Sequence, residues 1–85
     1  MIIIYKDFIK KYIDNLKISH IKDYAQKQNI VLTEEESIIL YSFIKEHYLE
    51  LLEDDTTIYL LEKQISSSLF SKILILYQEN KAKYL

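Results

Sequence analysis

The sequence predicts an all-α protein: a compact bundle of about five helices, two of them short, around a long central helix. Three observations carry this. Apolar residues recur at spacings of three and four through most of the chain, polar capping residues interrupt that pattern at intervals, and glycine and proline are both absent. Without glycine or proline, left-handed turns and two-residue hairpins lose their usual residues, so connections must be helix caps or short bends.

The first helix is expected over residues 3–15, where Tyr5, Phe8, Ile9, Tyr12, Ile13 and Leu16 form one apolar stripe opposite Asp7, Lys10, Lys11 and Asp14. Ser19 is placed to cap a second, shorter helix through Gln28, with Ile21, Tyr24 and Ala25 facing inward and Asn29 closing it in the left-handed conformation. After the apolar connector Ile30-Val31-Leu32, Thr33 and Glu36 form a capping box, and Glu34, Glu35 and Glu36 sit at the positive end of the helix dipole. The central helix that follows, over residues 33–53, carries apolar residues on a wider arc than one packing stripe requires. Asp54, Asp55, Thr56 and Thr57 end it and begin a short helix over residues 56–64, which offers Ile58, Leu61 and Ile65 to the core. Ser66, Ser67 and Ser68 then cap a last helix with Leu69, Phe70, Ile73, Leu76, Tyr77 and Tyr84 on one side. On that helix Leu74 lies at the edge of the stripe and Ile75 points nearly opposite.

At 85 residues the chain is expected to form a single domain, 1–85. With no cysteine it has neither a disulfide nor a cysteine-based zinc site, so helix packing must stabilise it. A 49% hydrophobic and 28% charged composition is that of a folded domain. All 11 basic residues are lysine, a bias expected of an AT-rich genome. The net charge of −2 and pI near 5.6 give no overall drive toward nucleic acid or an acidic membrane. The opening Met1-Ile2-Ile3-Ile4 run is too short for a membrane span and lacks the positive flank of a signal peptide, so a reducing cytoplasm is expected.

Candidate chemistry is sparse. His47 with Glu46 and Glu50 could supply metal ligands, but adjacent helical side chains diverge by about 100°, and two ligands fall short of the three that a catalytic metal needs. No metal or cofactor is therefore expected. There is no cysteine nucleophile, no strained serine turn and no phosphate-binding glycine loop. The carboxylate clusters at Glu34, Glu35 and Glu36 and at Glu53, Asp54 and Asp55 lie where helix ends need polar groups. Most of the eight tyrosines coincide with helical stripes, without an interleaved lysine groove for single-stranded nucleic acid. No small-molecule substrate emerges.

Two binding readings are left. A helix-turn-helix joining the second and third helices would set three glutamates against phosphate; the later pair, over residues 56–84, avoids this and presents Ser67, Ser68, Ser71 and Lys72, though no arginine for guanine. Protein contact is better supported, because the wide arc of the central helix and the off-stripe Ile75 exceed what a small bundle covers. Leu49, Leu52, Leu74 and Ile75 are the residues expected to meet a protein partner or a second copy of the chain.

The segments Ile21-Lys22-Asp23-Tyr24-Ala25, Asn29 through Glu36, Ile65 through Ser68 and Lys72 through Tyr77 resemble a family of small all-helical proteins, a domain of unknown function, from Bacillus-like low-GC Gram-positive bacteria. The resemblance implies a bacterial, cytosolic, helical protein and brings no active site with it. The expected function is noncatalytic, through protein–protein contact or self-association, with a small DNA-binding regulator as the alternative.

Overall fold

A computed structural model describes residues 2–84, with side chains from 7 to 81. It is all-α: α1 (Ile2–Asp14), α2 (Ile18–Lys27), α3 (Glu34–Glu53), a 3-10 helix (Thr57–Leu61) and α4 (Ser67–Tyr84), with no strand among the described residues. Four α-helices and one 3-10 helix thus stand where about five helices were expected. By contacts the chain divides into two units, the first ending at Leu49 and the second beginning at Glu50. The continuous helix α3 contributes to both.

In the first unit the buried apolar residues are Ile13, Leu16, Ala25, Leu40 and Phe43, joined by Ser37. Ser37 is fully buried, and its hydroxyl donates to the Thr33 carbonyl at 3.0 Å, which satisfies a group that would otherwise be costly to bury. Helix α3 opens with the expected capping box: the Thr33 N–H donates to Glu36 Oε1 at 2.8 Å and the Glu36 N–H to Thr33 Oγ1 at 3.1 Å. Asn29 has φ 59°, and the bonds Ile30 N–H to Ala25 O (2.8 Å) and Asn29 N–H to Gln26 O (3.1 Å) make a Schellman closure of α2. In a chain without glycine, asparagine is the residue best able to take that conformation.

Three expectations about this unit are corrected. The N-cap of α2 is Lys17, not Ser19. A histidine at the third helical position does the work of the usual glutamate: His20 Nδ1 accepts from the Lys17 N–H at 3.1 Å, which starts the helix two residues early. Phe8 and Tyr12 do not face inward; they are 71% and 61% exposed, while Ile13 is buried and Ile9 half-buried. The six-residue stripe spans more arc than one contact covers, and the aromatics stand about 100° short of the buried isoleucines. Tyr24 is likewise exposed beside buried Ala25. Tyr5 lies outside the described side chains.

The core of the second unit is Ile58, Leu61, Leu69 and Phe70, with Thr57. Its short helix is corrected from α over residues 56–64 to 3-10 over Thr57–Leu61, because its backbone bonds reach back three residues, as in Tyr59 N–H to Thr56 O and Glu62 N–H to Tyr59 O. Three residues per turn aligns Ile58 with Leu61, and these are the two deepest apolar residues of the unit, 3% and 1% exposed. Ile65, beyond that helix, is only half-buried. Ser66 caps α4, its Oγ accepting from the Leu69 N–H at 3.2 Å. Tyr84 lies outside the described side chains.

Candidate interaction surfaces

Several of the groups that could have carried chemistry serve the fold instead. His20 closes the start of α2. The His47 ring lies 4.7 Å from that of Phe43, and its Nε2 is 3.8 Å from Glu46 Oε2. That approach corrects the expected divergence of these adjacent residues, since a long glutamate can lean across the step between them. Among the described residues no group of three or more histidines, aspartates or glutamates is arranged to hold a metal ion. Glu36 caps α3, and Glu34 pairs with Lys22 of α2 at 2.5 Å. Asp54 Oδ1 accepts from the Thr56 hydroxyl at 2.7 Å and the Thr56 N–H at 2.9 Å; the hydroxyl bond first, then the amide, holds its carboxyl below the ordinary value.

Two lysines use the carbonyls at helix ends. In the first unit Lys45 of α3 reaches the end of α1, with Nζ 3.0 Å from the Ile13 carbonyl and 3.5 Å from that of Asp14. In the second, Lys81 of α4 donates to the Leu51 carbonyl in the last turn of α3 (3.3 Å), to Tyr77 Oη (3.3 Å) and to Asp55 Oδ1. Tyr77 Oη itself donates to the Leu51 carbonyl. The last four carbonyls of an α-helix have no partner within it and form its negative end, so a lysine from another helix supplies both a donor and a favourable charge. The Asp55 bond is the main reason that the Lys81 ammonium is held above its ordinary pKa.

The expected contact residues are divided by the structure. Leu49, in the first unit, is 42% exposed and Ile75, in the second, 55% exposed; Leu52 and Leu74 are half-buried. Two of the four therefore present substantial apolar area. The stripe reading missed the larger exposures of Phe8 and Tyr12, together with Val31 at 92%, Leu60 at 57% and Ile38 at 46%. An open depression of about 470 Å³ lies beside Val31, lined by Ala25, Ile30 and Leu32 with Lys22 and Gln26.

A further signal in the sequence would have directed attention to the first unit. Residues 1–32 hold six lysines and three aspartates, whereas residues 33–62 hold nine acidic residues and one lysine; the net charge of −2 conceals this segregation. On α1, α2 and the link between them, Lys10, Lys11, Lys17, Lys22 and Lys27 are all exposed, in company with Phe8, Tyr12 and Tyr24. On α3, Glu35, Ile38, Ser42, Glu46 and Leu49 are exposed at spacings of three and four, which makes them a single outward face. Among the described residues no helix is long and apolar enough to cross a membrane. Comparison with protein-family models, with curated proteins and with solved structures gives no match.

Proposed function

We propose that this chain is a noncatalytic helical protein of a bacterial cytoplasm that acts by binding a protein partner or a second copy of itself. The observation that carries the reading is the amount of large apolar surface left in water on helices that already have a buried side: Leu49 on α3, Ile75 on α4, and Phe8 and Tyr12 on α1. Such residues gain by being covered, at roughly 25 cal/mol for each Å² of apolar area removed from water. The resemblance to the small helical family of Bacillus-like bacteria supports the bacterial cytosolic setting, and His20 and Glu36 are both engaged at helix starts. Helix α3, which contributes to both units, is read as the organising element of one domain.

Sedimentation of the purified chain beside Ile75→Glu tests this. The expected outcome is an associated wild type weakened by the substitution, or a monomer that captures a cellular protein in a manner Ile75→Glu abolishes. A monomer with no captured protein would remove the reading.

The DNA-binding alternative draws on a different observation. Ser67, Ser68, Ser71 and Lys72 are exposed at the start of α4, and residues 63–85 hold four lysines against one glutamate. Against it, the helix preceding α4 is a five-residue 3-10 turn, and Lys81 is engaged at the end of α3. Retention on duplex DNA that falls with salt and with Lys72→Glu would favour it.

A further inference from the structure

We propose that the aromatic face of α1 docks on the outward face of α3 in a second copy of the chain. This rests on the self-association branch of the function proposed above and names its surface. The α1 face consists of Phe8 and Tyr12, one turn apart, with Lys11 beside them. The α3 face offers Ile38 and Leu49, about 16 Å apart along the helix at 1.5 Å per residue. Between them stands the small, exposed Ser42, with Glu35 and Glu46 on the same outward face.

Charge selects the occupant. Lys11 and Glu35 have no ion pair to another described residue, and both are exposed. The lysine-rich α1 and α2 and the glutamate-bearing face of α3 belong to the same unit, so every copy carries both halves of a complementary pair. A nucleic acid attracted by the lysines would meet the repulsion of α3's glutamates nearby in the same unit. Two copies can close the contact reciprocally about a two-fold axis, an isologous dimer, whereas successive copies that each use one face only extend it head to tail.

The test uses the full chain and two charge-reversed variants, Lys11→Glu and the double variant Glu35→Lys/Glu46→Lys. Each changes exposed side chains, and circular dichroism verifies that the helices are retained. Sedimentation is expected to show an associated wild type, with each variant alone weakened by about tenfold or more. An equimolar mixture should recover association, because the unaltered α1 of one variant meets the unaltered α3 of the other. Phe8→Ala should weaken self-association by about tenfold or more without loss of helicity.

A wild type that stays monomeric at millimolar concentration overturns the proposal. So does association that neither charge variant moves; if Ile75→Glu abolishes it instead, self-association stands and only this surface falls. A monomer that binds a single-stranded oligonucleotide through Lys11 overturns it in favour of nucleic acid.

Discussion

Both units join helices with the same pair of residues, a tyrosine followed one turn later by a lysine. In the first, Lys45 caps the end of α1 with Tyr41 one turn before it; in the second, Tyr77 and Lys81 both serve the end of α3. Each ammonium also lies near the face of its tyrosine ring, 5.7 Å from the centroid at Tyr41 and 5.5 Å at Tyr77. The difference is in what surrounds the charge. Lys45 has two carbonyls, whereas Lys81 has a carbonyl, a phenol and the Asp55 carboxylate, and its tyrosine adds a hydrogen bond of its own. A lone lysine cap is a local interaction; the second site is a network whose members hold one another.

The largest expected effect separates the two lysines. Lys81→Met should destabilise the chain by about 1–2 kcal/mol, since it removes a charged donor from a helix end and leaves Asp55 without its cation. Lys45→Met should cost about 1 kcal/mol or less. For a chain of this size the former corresponds to a fall in Tm of several degrees or more, read by thermal denaturation. Equal losses would mean that the extra partners of Lys81 add nothing.

Next in size is the contrast between the tyrosines. Tyr77→Phe deletes a hydroxyl that donates to Leu51 and accepts from Lys81, and should cost about 1 kcal/mol. Tyr41→Phe retains the ring that faces Lys45 and should change stability by less than about 0.5 kcal/mol. Urea denaturation of both variants checks this. A loss at Tyr41 equal to that at Tyr77 would break the distinction between a ring-only and a hydrogen-bonded partner.

These sites also show what the sequence made legible. Local signals were readable in place: Thr33 with Glu36, Asn29 at the end of α2, Ser66 before α4. Each acts within five residues, so its geometry is set by the chain itself. Helix periodicity gave the all-α class for the same reason. Which part of a wide apolar stripe becomes buried was not readable, because it depends on the neighbour that arrives; Phe8 and Tyr12 were assigned inward and stand in water. The 3-10 helix escaped for a related reason, as Ile58 and Leu61 fit either a period of 3 or one of 3.6. The lysine caps join residues 30 or more positions apart, and nothing in the spacing announces them. Of the residues proposed to meet a partner, Leu49 and Ile75 were legible as excess apolar positions, whereas the α1 face needed the structure and the segregated charge together.

The smallest expected effect is the pH dependence of the second site, and it has two limbs of opposite sign. The folded chain holds the Lys81 proton more tightly than the unfolded chain does. Its contribution to stability is therefore complete below the ordinary lysine value of 10.5 and is lost as pH rises through the higher folded value. Asp54 behaves in reverse: Thr56 stabilises its carboxylate, so its contribution is present above 3.8 and is lost as pH falls through the lower folded value. Asp55→Ala should flatten the alkaline limb and leave most of the acid limb in place, while Thr56→Ala should flatten the acid limb alone. The comparison is made as the difference in unfolding free energy between each variant and the wild type, which cancels the titration of groups common to both. If Asp55→Ala leaves the alkaline difference unchanged, the carboxylate does not hold the Lys81 charge, and the second site reduces to the simpler cap of the first.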